Sequence, residues 1–327
     1  MDSFLAMNPP TDPVWAIVDC GTNTFNLLVK KAVSGEVLSN TKWPVKLGLG
    51  GLTSGKLTEE AMERGLQALR EHLQTAQSFG AKRLWAFATS AVRSTENGHA
   101  FAEKVNRETG MYLNIIDGDQ EALFIYEGVQ QALELPDFPV LIMDIGGGST
   151  ECIIAHREKA LWYSSLPLGV ARLRELFSPS DPLTEPTRLA LNSHILSTLQ
   201  PVFDAIARFQ PQWLIGSSGS FDTLFDVLAH RTNSSPLAPN QTTALFDRNG
   251  FDTLSSDLLL TTLSERLAMP GMLEMRADTL HLSPLQIQPI LRKMGVHIPL
   301  HLSTFALKEG VWSSLQKNPT AWRASSL

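Results

Sequence analysis

V-L-I-M-D-I-G-G-G-S-T-E, residues Val140–Glu151, reads as a buried strand running into a tight turn. Val140, Leu141, Ile142, Met143 and Ile145 are apolar and flank one acid, Asp144. Gly146, Gly147, Gly148, Ser149 and Thr150 follow, and then a second acid, Glu151. Glycine has no Cβ, so such a turn lets backbone N–H groups close on an anion. The flanking carboxylates could hold a divalent cation through oxygen or water ligands. Phosphate plus metal is the reading this stretch suggests, and an ordinary glycine turn with two solvated acids is its alternative.

The same device stands near the beginning of the chain. Trp15–Asp19 is an apolar run ending in an acid, Gly21-Thr22-Asn23-Thr24 is a turn, and Phe25–Lys31 reads as the returning strand. Asp19-Cys20-Gly21-Thr22 and Asp144-Ile145-Gly146-Gly147 thus point to an internal duplication with a ligand between the copies. A third small-residue turn, Gly216–Ser220, follows a strand at Trp213–Ile215 and precedes a helix over Phe221–Ala229. Strands alternating with helices in both halves predict an α/β fold of mixed sheets flanked by helices. Ligands in such folds bind at the strand ends, so the three turns are expected to converge on one cleft.

Between these markers the pattern predicts strands at Glu36–Trp43, Arg83–Ala88 and Leu113–Ile116, and a hairpin over Cys152–Ala155 and Ala160–Ser164. Helices are predicted over Thr58–Phe79, Gly98–Thr109, Val170–Phe177 and Ser303–Leu315, and a single long one over Thr187–Phe209 despite Pro201. Phe251–Leu267 and Thr279–Met294 read as mainly helical, with Pro284 and Pro289 bending or breaking the second. Thr89–Asn97 reads as a polar loop holding Arg93. Asp117-Gly118-Asp119 signals the start of a helix from about Gln120 to Glu134, with Glu121 in its first turn. There the helix dipole favours an ionised carboxylate. Arg172 and Arg174 read as solvated helix charges rather than ligand clamps.

At 327 residues the chain is long enough for two domains, each with its own core. The expected division is a tail at 1–13, a first domain at 14–128 and a second at 129–327, whose last helix, 303–315, packs back on the first. A net charge of −6 gives no electrostatic footprint for nucleic acid or an anionic membrane, so a phosphate-rich ligand needs a local basic patch. No stretch approaches the ~20 apolar residues of a membrane span. Cys20 and Cys152 each sit in an apolar setting and read as packed thiols, which implies a reducing, intracellular (cytoplasmic) compartment. The residues before Pro13 lack the charged and apolar regions of a secretion signal and read as a flexible tail.

Taken together, these motifs resemble the Ppx/GppA phosphatase family, the exopolyphosphatases and guanosine pentaphosphate phosphohydrolases. The stretches that carry the likeness are I-V-D-C-G-T-N-T-F at Ile17–Phe25, A-T-S-A-V-R-S-T-E-N-G at Ala88–Gly98 and D-G-D-Q-E-A-L-F-I-Y-E-G at Asp117–Gly128. D-I-G-G-G-S-T-E at Asp144–Glu151, G-S-S-G-S at Gly216–Ser220 and M-R-A-D at Met275–Asp278 continue it in order. The resemblance implies two actin-like (ribonuclease H-like) domains of the acetate kinase/sugar kinase/heat-shock protein/actin superfamily, with the site in the cleft between them. It implies that Asp19, Gly21, Thr22, Asn23 and Thr24 line a first phosphate loop and that Gly146, Gly147, Gly148 and Ser149 form a second. Glu121 would be the general base that activates water, Asp144 and Glu151 would bind Mg²⁺ or Mn²⁺, and Arg93 and Lys46 would contact phosphate.

The departures matter. Lys46 and Lys308 stand where arginine is usual in the family, and a lysine pairs with phosphate as a point charge rather than a fork. Nothing after Gly310 resembles the extra C-terminal helical domain of the longer members, so the short two-domain form is the match. Leu282-Ser283-Pro284 replaces a small-residue stretch, and His281, His297 and His301 show no metal-ligand spacing. The expected activity is Mg²⁺-dependent removal of terminal phosphate from inorganic polyphosphate. Guanosine pentaphosphate hydrolysis, an ATP-dependent kinase or ATPase, and a catalytically weak phosphate or nucleotide sensor are the alternatives. Two-domain relatives commonly pair, so a homodimer belongs to the expectation.

Overall fold

Alternation of side chains along the strands builds this molecule. The computed structural model describes residues 12–238 and 240–327; the residues read as a tail up to position 11 lie outside them. In the first sheet β1 (Val14–Cys20), β2 (Thr24–Lys31) and β3 (Val37–Pro44) form two antiparallel hairpins, and β4 (Arg83–Ala88) lies parallel to β1. The outer edge of β4 is shared by β5 (Leu113–Ile115) and, from the far end of the chain, β12 (Ser325–Ser326). In the second sheet β6 (Val140–Ile145), β7 (Thr150–Ala155) and β8 (Ala160–Leu166) repeat the two hairpins. There β9 (Leu214–Ser217) runs parallel to β6, followed by β11 (Leu300–Ser303) and the antiparallel β10 (Thr243–Leu245). Both sheets therefore carry the order third–second–first–fourth, the duplication read from the two Asp-Gly turns.

The helices fill the spaces between and outside these sheets. They are α1 (Glu59–Ser78), α2 (Ser90–Arg93), α3 (Gly98–Thr109), α4 (Gly118–Ala132), α5 (Val170–Phe177), α6 (Glu185–Thr198) and α7 (Gln200–Phe209). After them come α8 (Ser218–Arg231), α9 (Arg248–Leu258), α10 (Leu263–Leu267), α11 (Glu274–Ala277), α12 (Pro284–Met294) and α13 (Leu307–Lys317). Among the described residues no helix is long and apolar enough to cross a membrane.

Successive residues of a strand face opposite layers. Leu141, Met143 and Ile145 join a core under α6–α9 and α12, whereas Val140 and Ile142 face inward, onto α4 and α13. Likewise Ala16, Val18 and Cys20 pack under α1 and α3, while Ile17 faces inward. α4 and α13 thus sit between the two sheets and share one core with both. They cross at glycines: a Cβ on Gly310 would lie 1.7 Å from the Phe124 carbonyl oxygen, and one on Gly128 would lie 1.9 Å from that of Ala306. The expected domain boundary at 128/129 falls inside α4, and the last helix packs against β1 as well as α4.

Several elements differ from expectation. Pro201 lacks an N–H, so the long helix over 187–209 breaks at Leu199 into α6 and α7, with Pro201 in the first turn of the second. Gly216–Ser220 is no turn: β9 runs to Ser217 and α8 begins at once, with Ser218 taking up the bend at φ +70°. Thr89–Asn97 contains the single helical turn α2, and Thr262 caps a new helix, α10, inside the stretch 251–267. The last helix starts at Leu307 rather than Ser303, because Leu300–Ser303 is taken into the sheet as β11. Cys20 and Cys152 are both free and buried.

Candidate active site

Where α4 and α13 stop covering the inner faces, those faces turn polar. Asp19 follows Ile17 in inward parity and Asp144 follows Ile142, so each acid stands at the carboxyl end of its strand, facing the gap between the domains. Strand register then fixes the neighbours. Asp19 is opposite Asn26, which is opposite Lys42; Asp144 is opposite Glu151, which is opposite Ser165. Directly opposed residues share a face and lie close enough to interact. Accordingly the Asn26 amide donates to Asp19 (2.9 Å) and the Ser165 hydroxyl to Glu151 (2.6 Å). From the next strand over, the Ser217 hydroxyl donates to Asp144 at 2.9 Å.

Both hairpins turn the same way. The Gly21 N–H donates to the Thr24 carbonyl at 3.1 Å, and the Gly146 N–H to the Ser149 carbonyl at 3.0 Å. The two turns touch across the gap. A Cβ on Gly147 would fall 2.7 Å from Asn23 Cγ, and one on Gly148 would fall 2.6 Å from the hydroxyl oxygens of Thr22 and Ser90. Glycine is required here for close approach rather than for positive φ. Asp19, Gly21, Thr22, Asn23, Thr24, Gly146, Gly147, Gly148, Ser149, Asp144, Glu151 and Glu121 all line this one cleft.

Glu121 arrives from α4. Asp117 caps that helix with a complete capping box: its carboxylate accepts from the Gln120 N–H (2.8 Å) while the Gln120 side chain accepts from the Asp117 N–H (3.1 Å). The first turn of α4 rests against β8, so closely that a Cβ on Gly118 would meet Ser165 Cβ at 2.5 Å. Glu121 is 7 % exposed, and its carboxylate accepts from Arg93 at 2.7 Å. Burial raises its pKa and Arg93 opposes, leaving it at about 7, with Asp19 and Asp144 adding to the rise. Burial likewise lifts Asp19 to about 6 against the Asn26 amide, and raises Asp144. Glu151 is raised well above the ordinary carboxylate range, first by burial and then by Glu121 and Asp144. The cleft therefore holds mutually repelling acids that a cation would relieve.

Two expected contacts lie elsewhere. Arg93 does not line the cleft; its guanidinium is occupied by Glu121 and by the Ile116 carbonyl (3.0 Å). Lys46 lines a neighbouring cavity instead, its ammonium 2.9 Å from Asp278. Neither arginine of α5 is simply solvated: Arg172 donates to the carbonyls of Gly148 and Leu52, and Arg174 pairs with Asp278.

Sequence reading gave no role to Lys42, Arg276 or Asp222 and left Lys308 without a place. Lys42, Arg276, Lys308 and Asp222 line the cleft beyond Asp19 and Asp144. Arg276, from the M-R-A-D motif, is 6 % exposed, and its guanidinium makes no hydrogen bond or ion pair among the described residues, with its Nε fully buried. Lys42 lies 4.0 Å from Asp222, whose carboxyl burial raises to about 6. The sequence signal for Lys42 was available in the register, since the hairpin that places Asn26 beside Asp19 places Lys42 beside Asn26.

Among the described residues no group of three or more His, Cys, Asp or Glu side chains forms a metal cage. The donor set is instead one of paired carboxylates facing a polar cleft. That suits a hard cation keeping water and phosphate ligands and does not suit a closed zinc-type site.

A model of the Ppx/GppA phosphatase family matches residues 28–318. A guanosine-5'-triphosphate,3'-diphosphate pyrophosphatase of Photobacterium profundum is 29% identical over 221 residues, 67% of this chain and 44% of that protein, so the chain spans less than half of that relative's length. Exopolyphosphatase 1 of Mycobacterium tuberculosis is 28% identical over 300 residues, covering 90% of this chain and 86% of the relative. Among solved structures, an exopolyphosphatase from Cytophaga hutchinsonii superposes with a TM-score of 0.89 at 36% identity, over 93% of this chain and 98% of that one. The family member from Aquifex aeolicus shares the fold, with a TM-score of 0.74 at 24% identity over 94% and 99% of the two chains.

Proposed function

The chain belongs to the Ppx/GppA phosphatase family, and from that premise we propose that it is an exopolyphosphatase, hydrolysing the terminal phosphoanhydride of inorganic polyphosphate. The observation that carries this reading is the lining of the cleft. Two amide-bearing turns face each other, and Lys42, Arg276 and Lys308 stand beyond them, while no Phe, Tyr or Trp among the described residues lines the space. A nucleotide base would want an aromatic face to stack on; a bare phosphate chain needs only donors and cations.

In this mechanism the turn amides hold the terminal phosphoryl group, as oriented donors do for charge developing in a transition state. Glu121 takes a proton from water as the water oxygen bonds to phosphorus. The bridging P–O bond breaks, and the shortened chain leaves with the electron pair on its terminal oxygen. Arg93 fixes the Glu121 carboxylate and favours its ionised form. Arg276, whose side chain has no hydrogen-bond or ion-pair partner among the described residues, and Lys42 and Lys308 supply positive charge to the terminal phosphoryl group and to the inorganic phosphate it becomes. Asp144 and Glu151 would hold Mg²⁺ or Mn²⁺, which when bound neutralises charge on phosphoryl oxygens. A carboxyl group poised near neutrality suits a general base at physiological pH.

Guanosine pentaphosphate hydrolysis is the second reading, and one feature stands on its side. A groove that meets the cleft at Asp222 and Thr304 is walled by Leu237, Met272 and Leu273, an apolar surface a base could cover. The test is phosphate release from long polyphosphate, tripolyphosphate, guanosine pentaphosphate and ATP, side by side, with and without Mg²⁺. Release from polyphosphate that requires Mg²⁺ and exceeds the other substrates is expected. Preference for either nucleotide would overturn the assignment, and tight polyphosphate binding without release would leave a sensor in its place.

A further inference from the structure

Resting on the polyphosphate reading, a second cavity acquires a role. It encloses about 430 Å³ between the loop after β3 and α5, and it adjoins the cleft at Asn23, which lines both. Its cations hang from the two glycine turns. The Asn23 carbonyl accepts from the N–H groups of Val45 (2.9 Å) and Lys46 (2.8 Å), which pins Lys46 to the first turn. The first residues of α5 donate to the second turn, Val170 to Gly146 (3.0 Å) and Ala171 to Gly147 (2.9 Å), and one helical turn on stands Arg174.

Lys46 Nζ and Arg174 Nη1 meet on a single oxygen of Asp278, Oδ2, at 2.9 and 2.7 Å. One oxygen between two cations from two domains is the arrangement a phosphate oxygen would adopt there. Both cationic side chains line the cavity and remain almost half exposed, so a ligand can reach them. The other acid in the cavity, Glu175, is already committed: it accepts from the N–H groups of Gly50 (3.1 Å) and Thr53 (2.9 Å) and from the Thr53 hydroxyl (2.6 Å). That clasp holds the loop against α5 and keeps the cavity shaped. The opposite way out of the cleft, past Asp222, presents a second carboxylate, Asp226, which repels a polyanion.

We propose that this cavity is the path by which the unreacted part of a polyphosphate chain leaves the cleft, with Lys46 and Arg174 holding its phosphates and Asp278 the internal carboxylate that the chain displaces. The test compares kcat/KM for long polyphosphate and for tripolyphosphate in wild type, Arg174→Gln and Asp278→Asn. Losing one charge-assisted phosphate contact at a half-exposed site should lower the long-to-short ratio on the order of tenfold in Arg174→Gln. Asp278→Asn removes the competing carboxylate, so long chains should bind severalfold tighter, read by direct titration in a Glu121→Gln background. If both chain lengths suffer equally in Arg174→Gln, or long chains bind more weakly to Asp278→Asn, the triad is a brace between domains and the path is wrong. An unmoved ratio in an active enzyme overturns the path alone. A wild-type enzyme inert toward both chain lengths overturns the polyphosphate reading and the path with it.

Discussion

Replacing Glu121 by glutamine separates its proposed chemical role from its structural cost, because the two effects have opposite signs. The amide keeps an oxygen for Arg93 but cannot take a proton from water. Phosphate release should fall by about 10²-fold or more, the usual contribution of a general base, while polyphosphate still binds. Stability should move the other way. Burial raises the carboxyl from its ordinary 4.5 to about 7, which corresponds to roughly 3 kcal/mol at 1.36 kcal/mol per pH unit. A carboxyl raised on folding is protonated in both states below its unfolded pKa, so the penalty is absent there. It grows as pH rises and is complete above the folded value. The glutamine variant should therefore match wild type in urea unfolding near pH ~4.5 and exceed it by about 3 kcal/mol near pH ~8. The same titration predicts that wild-type kcat/KM falls as pH drops through about 7, a limb missing from the residual activity of the variant. Turnover within tenfold of wild type, or a stability gain equal at both pH values, would refute the assignment of a buried titrating base.

Three further outcomes follow from the same geometry. Asp144→Asn should weaken the divalent-cation requirement, read as a higher Mg²⁺ concentration for half-maximal phosphate release; an unchanged metal titration excludes Asp144 as a ligand. Arg276→Gln should raise KM for polyphosphate by on the order of tenfold without loss of thermal stability, since the guanidinium has no partner within the described residues to lose; a lowered Tm would show a structural role instead. Gly310→Ala puts a methyl 1.7 Å from the Phe124 carbonyl oxygen and should cost about 3 kcal/mol or more, at or above the upper range for overpacking. A variant with wild-type unfolding behaviour would mean that α4 and α13 can slide apart.

Local chemistry alone settled a good deal of this molecule. An apolar run broken by Asp and Gly can only be a buried strand ending at a polar turn, so the two Asp-Gly hairpins, their duplication and the first-turn position of Glu121 were legible from residues 15–31, 117–121 and 140–151. What no local pattern could tell is which groups end up facing one another. Arg93 and Lys46 were read as phosphate contacts because they are cations near the right motifs, and what the sequence did not give is that Arg93 pairs with Glu121 and that Lys46 stands at Asp278 in a neighbouring cavity, partners 28 and 232 residues away in sequence. Arg276 was passed over, since nothing in M-R-A-D says that the packing of two sheets on α4 and α13 will bring its charge to the gap; Lys42 was missed although the hairpin register carried its signal. Strand periodicity fixes the face a side chain takes; its partner across the cleft depends on how the two sheets meet on α4 and α13, and that information is held in long-range packing rather than in neighbouring residues.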